Sequence, residues 1–481
     1  MAELPEWVRK HKAKGTEIKR AGDSYYLYEM SSTWNPSKKR ADKISGKYLG
    51  TITPAGLLKP KHERVLDELK DISVKEFGAS SFIGYLCSDI VDLLKKYFPN
   101  DWNEIATFSI VRLFHSSPLK NVMHYYGGSH LSDMFPDANV SPKSLSNLLY
   151  SIGTRRERTV NFMKNFIDGD QAIIDVTQIF SLSENIISAT LGHSPNDDYV
   201  PQINLALLLS MEKKHPSFFR LVPGSISDVS IVTTTMREAG VKRAILIGDK
   251  AFYSQGNVKF LESNQLGYIL PMKRTISFID YKPLCSGDKK DLDGYFLFEG
   301  RVIWHTDRII KGKRVILYID SKLRTEEEKD YLTYVNEKKI PLKKYYQRQH
   351  TMGTIAVITS CKFKPNKIYE LLKGRIDIEQ AFDAFKNILH NDRTYMRDDA
   401  HLEGWMFISF VSLLLYYRLY ETLRNGDLLS KYSPRDLILH FARVQKLKIA
   451  GKWVRSEIPK TTRILAGKLK FEVPIPLTTR P

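Results

Sequence analysis

Between residues 171 and 273 the chain sets out a fixed succession: three β-forming runs, a helix, a strand, a short helix and a further strand. "QAIIDVTQIF", "YVPQINLALLLSM" and "FFRLVPGS" are rich in Val, Ile, Leu and Phe and are bounded by Gly, Pro, Asp and Asn, the punctuation expected of strands. "SDVSIVTTTMREAG" has helical spacing and Gly240 as its stop signal. "RAILIGDKAF" and "LGYILPMK" return to the strand pattern. This order predicts an α/β fold, a mixed sheet with helices on both faces. A chain of 481 residues, 42% hydrophobic and 26% charged, is long enough to bury such a core and is neither disordered nor membrane-embedded in composition.

Two of these strands end in an acid. Asp175 follows Ile173 and Ile174, and Asp249 follows "AILIG", with Gly248 giving the backbone room. An ionisable group there is costly to bury without a partner, and the carboxyl ends of strands are where α/β sheets place their sites. A third acid stands on the helical stretch "GRIDIEQAFDAFKN", residues 374–387. At about 100° per residue, Glu379 lies about 40° round from Arg375 and Lys386 about 20° round. Ile378, Phe382 and Phe385 lie beside that sector, so the same side also meets the core. Three carboxylates on separate elements, with no Cys or His cluster, form a ligand set for hard divalent cations, Mg²⁺ or Mn²⁺, rather than zinc. Two such ions serve phosphodiester chemistry.

The net charge of +19 points to the partner. Residues 1–60 hold 12 basic and 6 acidic side chains, and residues 421–481 hold 13 and 5, so most of the excess lies at the two ends. Basic flanks around a nearly balanced body suit a nucleic acid. The longest apolar run, residues 405–417, is too short for a bilayer-spanning helix, which needs about 20 residues, and reads as a buried helix. The first 15 residues contain no secretory apolar region, which predicts a cytoplasmic protein. The three cysteines are far apart and suggest neither disulfides nor a zinc site.

Before the sheet, "SYYLYEM" and "KYLGTIT" read as a hairpin joined by a long polar loop, in a module of residues 1–60 with possible DNA binding. Residues 61–167 read as a helical domain, a candidate reader of DNA ends, with Ser141 and Pro142 as N-cap and first helical residue. After the first part of the sheet region (168–273), residues 274–360 form a β-rich stretch, residues 361–424 return to helix, and residues 425–481 are a basic tail for DNA binding or dimerisation.

Taken together, "IIDVT", "LIGDKAFYS", "PGSISDVS" and the R-x3-E-x6-K spacing of Arg375, Glu379 and Lys386 resemble the insertion-sequence DDE transposases, the group with a β-strand insertion between the second Asp and the Glu. The resemblance spans about 165–424. It implies a ribonuclease H-like core interrupted by the insertion at 274–360, with Asp175, Asp249 and Glu379 as catalytic residues and ligands of two Mg²⁺ or Mn²⁺ ions. It further implies that Arg375 and Lys386 contact DNA backbone. The family's signature Tyr falls at Leu372; Tyr369, one turn earlier, is the substitute. Lys250 is a candidate phosphate contact. Trp304, in "RVIWHTDR", either stacks on a displaced base or packs in a small sheet. The function implied is cut-and-paste transposition by a prokaryotic, nucleoid-associated protein. It would bind the terminal inverted repeats of double-stranded DNA, join the 3′ ends to target DNA, and act as a homodimer in a synaptic complex with no membrane partner. A nuclease without strand transfer and a retired DNA-binding protein are the competing readings.

Overall fold

A computed structural model describes residues 4–64, 72–168, 172–181, 183–193, 199–210, 213, 215–226, 228–241, 245–248, 250–285, 288–338, 340–391, 393–449 and 451–476. The chain forms two compact units, one of residues 1–78 with 440–467 and 472–481, the other of residues 79–439 with 468–471. The division therefore falls at 78 and 439 rather than at 60, 167 and 424, because the two ends of the chain pair with each other.

In the first unit, β1 (Thr16–Ala21), β2 (Ser24–Asn35), β3 (Arg40–Thr53) and β4 (Gly56–Leu58) make an antiparallel meander. Tyr25, Leu27 and Ile52 bury one side of its base with Val8. The stretch read as a long polar loop is strand on both sides, and only residues 36–39 turn. Its Ser, Thr and Lys residues are exposed on both faces, so no alternation of polarity marks it as β. A second sheet pairs β5 (Ser73–Glu76) antiparallel with Gln445–Ile449, which in turn pairs with Lys452–Arg455.

The second unit is built on a mixed sheet of eleven strands among the described residues. These are β6 (Ala172–Ser181), β7 (Thr190–His193), β8 (Tyr199–Ser210), β9 (Pro216–Pro223), β10 (Ile245–Ile247), β11 (Gly267–Pro271), β12 (Gly294–Phe298), β13 (Arg301–Ile310), β14 (Lys313–Asp320), β15 (Thr354–Thr359) and β16 (Arg393–Thr394). Its heart is the order β9-β8-β6-β10-β11. The first three strands are mutually antiparallel, and β6, β10 and β11 are parallel. This is the ribonuclease H-like arrangement. Leu205, Ala206, Leu207 and Leu208 are all essentially buried, so β8 is covered on both faces and shows the continuous apolar run of an inner strand. Residues 274–360 do not stand apart as a sheet of their own. β15 pairs with β11, and β14, β13 and β12 follow edge to edge, so the inserted strands lengthen the same sheet.

Helices of this unit include α1 (Trp102–His115), α2 (Pro142–Thr154), α3 (Arg156–Met163), α4 (Asp228–Ala239), α5 (Gln255–Ser263), α6 (Ser321–Glu337), α7 (Pro365–Lys373), α8 (Arg375–Asp383) and α9 (Asp399–Asn425). Ser141 caps α2 by accepting the Ser144 N–H at 3.3 Å, with Pro142 following. The helices between 79 and 167 belong to the same body as the sheet: α1 and α2 pack on α9. At the α2–α9 crossing a Cβ on Gly404 would stand 2.1 Å from the Leu149 carbonyl, and one on Gly153 would stand 1.8 Å from that of Ala400. Only glycine at both places permits this approach. At 27 residues α9 is long and apolar enough to cross a membrane by length and composition, but 83% of its most apolar window is buried inside the protein.

Candidate active site

Asp175 lies in the interior of β6, not at its end, and is 4% exposed. What ends beside it is the neighbouring strand. β10 pairs Ile245 with Ile173 and Leu246 with Ile174 and stops at Ile247, level with Asp175. On that same side β16 joins β6 only at Phe180 and Ser181. Among the described residues no strand lies along residues 176–179 between them. Asp175 thus stands at the closed end of a gap in the sheet, and its Oδ1 accepts the Val176 N–H at 2.9 Å.

Position 249 is outside the described residues. Gly248 follows β10 directly, and a Cβ there would come within 2.8 Å of Phe252, so the chain at this strand end is packed too closely for a side chain. Lys250, just beyond, is exposed.

Glu379 is exposed on α8, and α8 packs against β6, so the helix of the third acid rests on the strand of the first. The stretch expected as one helix from 365 onward is two, α7 and α8, parted at Gly374. After Asp383 the helix widens: residues 384–388 form a π turn, with Leu389 N–H bonding to the Ala384 carbonyl at 3.0 Å and Asn391 N–H to that of Lys386 at 3.0 Å. The 100° wheel does not hold through i→i−5 bonding, so the angle expected for Lys386 does not carry over unchanged. Arg375 opens α8; its side chain is outside the described residues. α8 packs against β6, and β16, the next strand after the π turn, joins β6 at Phe180 and Ser181.

A buried polar network that the sequence did not reveal fixes this exit. Arg112 of α1, 2% exposed, donates to the Leu389 carbonyl at 2.6 Å and to Asn391 Oδ1 at 3.1 Å. Its guanidinium lies 3.8 Å from the centre of the Trp405 ring. Trp405 Nε1 and Ser409 Oγ donate to the same Asn391 oxygen at 2.9 and 3.2 Å, Asn391 Nδ2 donates to the Phe385 carbonyl at 3.1 Å, and Ser116 Oγ to that of Ile388 at 2.6 Å. The orphan carbonyls of the helix end are thereby satisfied from three directions. Burial pushes the Arg112 guanidinium down to about 9. An arginine inside "FSIVRLF", on an otherwise apolar face, was the available signal.

Two expected DNA contacts take different places. Tyr369 is fully buried, its ring edge-on to Phe296, Phe298 and Tyr318 at 4.9–5.5 Å, and burial raises its phenol pKa. It is a core residue joining α7 to the lengthened sheet, with no surface left for DNA. Trp304 is half-buried on β13, 5.1 Å from the exposed Tyr295 ring, with Lys289 Nζ 5.0 Å from its own ring centre.

Among the described residues no three acids, histidines or cysteines form a metal-holding cluster; the second Asp of the expected trio is not among them. The two acids that are described fit a hard cation in kind, oxygen donors on adjoining elements.

A family model described as "Transposase DDE domain" matches residues 170–415, a span that runs from the start of β6 through most of α9. Among solved structures, a piggyBac transposase synaptic complex with hairpin DNA aligns with 71% of this chain and 70% of its own, at 10% identity and a TM-score of 0.35. No curated protein matches the sequence.

Proposed function

The chain belongs to the transposase DDE-domain family and is a DNA transposase; from that premise we propose that Asp175, Asp249 and Glu379 are its catalytic carboxylates and that it works by cut-and-paste. The observation that carries this reading is the gap in the sheet. Asp175 is buried at its closed end, β10 stops level with it at Ile247, and α8, the helix that carries Glu379, packs against β6.

These carboxylates would hold two Mg²⁺ or Mn²⁺ ions, which when bound activate a water and neutralise charge on the scissile phosphate. The protein's own part is positional. Asp175, fixed in a sheet, is the rigid ligand, and Glu379, carried by a helix, is the ligand whose place depends on the Arg112–Asn391 network. Lys250, Arg375 and Lys386 would hold phosphate oxygens, while Trp304 and Tyr295 offer rings on which an unpaired base could stack. The substrate is double-stranded DNA at the element's terminal inverted repeats. A 3′-hydroxyl freed there attacks a target phosphodiester, and pairing two ends calls for a homodimer in a cytoplasmic, nucleoid-associated complex.

The test combines labelled end DNA, a target plasmid and Mn²⁺. Cleavage and joined products are expected from the wild type, and neither from Asp175→Asn or Glu379→Gln. Cleavage without joining would assign a nuclease, and cleavage that survives both changes would overturn the site.

A further inference from the structure

From the first unit we infer that the outer half of the β2–β3 hairpin is a DNA-docking ribbon that enters the major groove of a duplex. Of the function proposed above, this needs only the polyanion, DNA.

The ribbon leaves its base at an irregularity: the β2–β3 register shifts between Leu27 and Tyr28 and again between Tyr28 and Met30. Bulges of this kind bend and twist a strand pair. Beyond them the two strands stay in register from Met30 opposite Ser45 to Asn35 opposite Arg40, and nearly every residue is exposed on both faces. Six pairs at about 3.4 Å per residue make an arm of roughly 17 Å. A two-stranded ribbon without a sheet or helix to cover it is marginally stable alone, and this one exposes Trp34 (63%) and Ile44 (48%). Such an arm is built to be covered by something else.

Charge decides what covers it. Residues 31–45 include Lys38, Lys39, Arg40 and Lys43 against one acid, Asp42. Asp42 is held on one face by Asn35 at 2.7 Å and Lys38 at 3.3 Å. Strand alternation puts Ser32, Trp34, Ala41 and Lys43 together on the other face, which has small side chains, one aromatic ring, one cation and no acid. Lys39, in the left-handed region at φ 49°, closes the turn at the tip. The major groove, about 12 Å wide, admits a two-stranded β-ribbon. Lysines at the tip and edge would meet the phosphates on its walls, while the acid-free face with Trp34 lies toward the floor.

The test uses the full chain and a labelled mixed-sequence duplex, with affinity measured by fluorescence anisotropy over a range of salt. Lys38→Ala/Lys39→Ala/Lys43→Ala should weaken binding roughly tenfold or more and reduce the slope of log affinity against log salt by about 2–3, since each phosphate left without its lysine lowers that slope by about 0.9. Trp34→Ala should weaken binding with the slope unchanged. Lys322→Ala/Lys329→Ala/Lys338→Ala on and just after α6 removes the same charge elsewhere and should leave the slope nearly as in wild type. An unchanged slope in the ribbon triple, or an equal drop in the α6 triple, overturns the ribbon. So does unchanged DNA affinity accompanied by loss of self-association, which would make the partner a second copy. Because Asp175→Asn should bind the duplex like wild type, a failure of the catalytic reading shows in cleavage and a failure of this one in binding.

Discussion

Asp175 and Tyr369 illustrate opposite outcomes for a polar side chain in apolar surroundings. Asp175 is buried level with the point where the neighbouring strand ends. Tyr369 is buried where three rings surround it, so its hydroxyl adds little. Asp175→Asn preserves shape and the oxygen that accepts the Val176 N–H, so the fold should survive with a thermal midpoint close to wild type, while metal-dependent cleavage falls by roughly 10³-fold or more. Tyr369→Phe should leave cleavage within about twofold, whereas Tyr369→Ala, which empties an aromatic core site, should cost about 3–5 kcal/mol in urea unfolding. The acid was legible because "AII" before a lone Asp is a conflict between burial and charge. Its place within the strand was not, because "VTQIF" continues the same β-branched pattern and nothing local says that the neighbouring strand stops first. Tyr369 was misplaced because an aromatic at helical spacing from a basic residue looks the same whether it meets DNA or the core.

The element that matters most is the helix of Glu379, and its geometry is set from its far end. The π turn and the network of Arg112, Asn391, Trp405 and Ser409 hold the exit of that helix to α1 and α9. Asn391→Ala removes an oxygen shared by three buried donors and should destabilise by about 2–4 kcal/mol. Cleavage should fall further than the loss of folded protein explains, measured as activity per folded molecule at a temperature well below unfolding. A second network ties α3, β9, α4 and α9. Arg156 bonds Glu238 at 3.0 Å and Glu403 at 3.3 Å, and Arg220 bonds Glu238 at 2.7 Å. Burial opposes ionisation of Glu238, yet Arg156 and Arg220 outweigh it and hold its pKa below the ordinary 4.5. A depressed carboxyl adds stability above its unfolded pKa and loses it as pH falls through the folded one. Thermal midpoints should therefore decline below about pH 4.5, and Glu238→Gln should flatten part of that acid limb. Elements themselves were mostly legible from periodicity. The break at Gly374 and the π turn were not, because a uniform 100° wheel has no term for a change of hydrogen-bond register.

For the whole molecule, the order of elements could be read but their partners could not. The strands between 294 and 320 announce themselves by alternation, yet nothing local tells whether they fold on themselves or extend β15 at the sheet's edge. Pairing across the length of the chain is set by tertiary contact. The same holds for β5, whose partner, Gln445–Ile449, lies hundreds of residues on. Net charge also acts at this scale. A value of +19 concentrated near both ends predicts that duplex binding weakens steeply with salt and that cleavage, but not binding, stops when EDTA removes divalent ions.

That long-range pairing of β5 also fixes an order of assembly. A ribosome delivers β5 early and its partner strand late, and residues 79–439 emerge between them. Most of the second unit can therefore fold while β5 still waits with an open edge, and the three-stranded sheet closes only once residues 445–455 arrive. Maturation is timed by topology: the clasp cannot close until nearly the whole chain has been made.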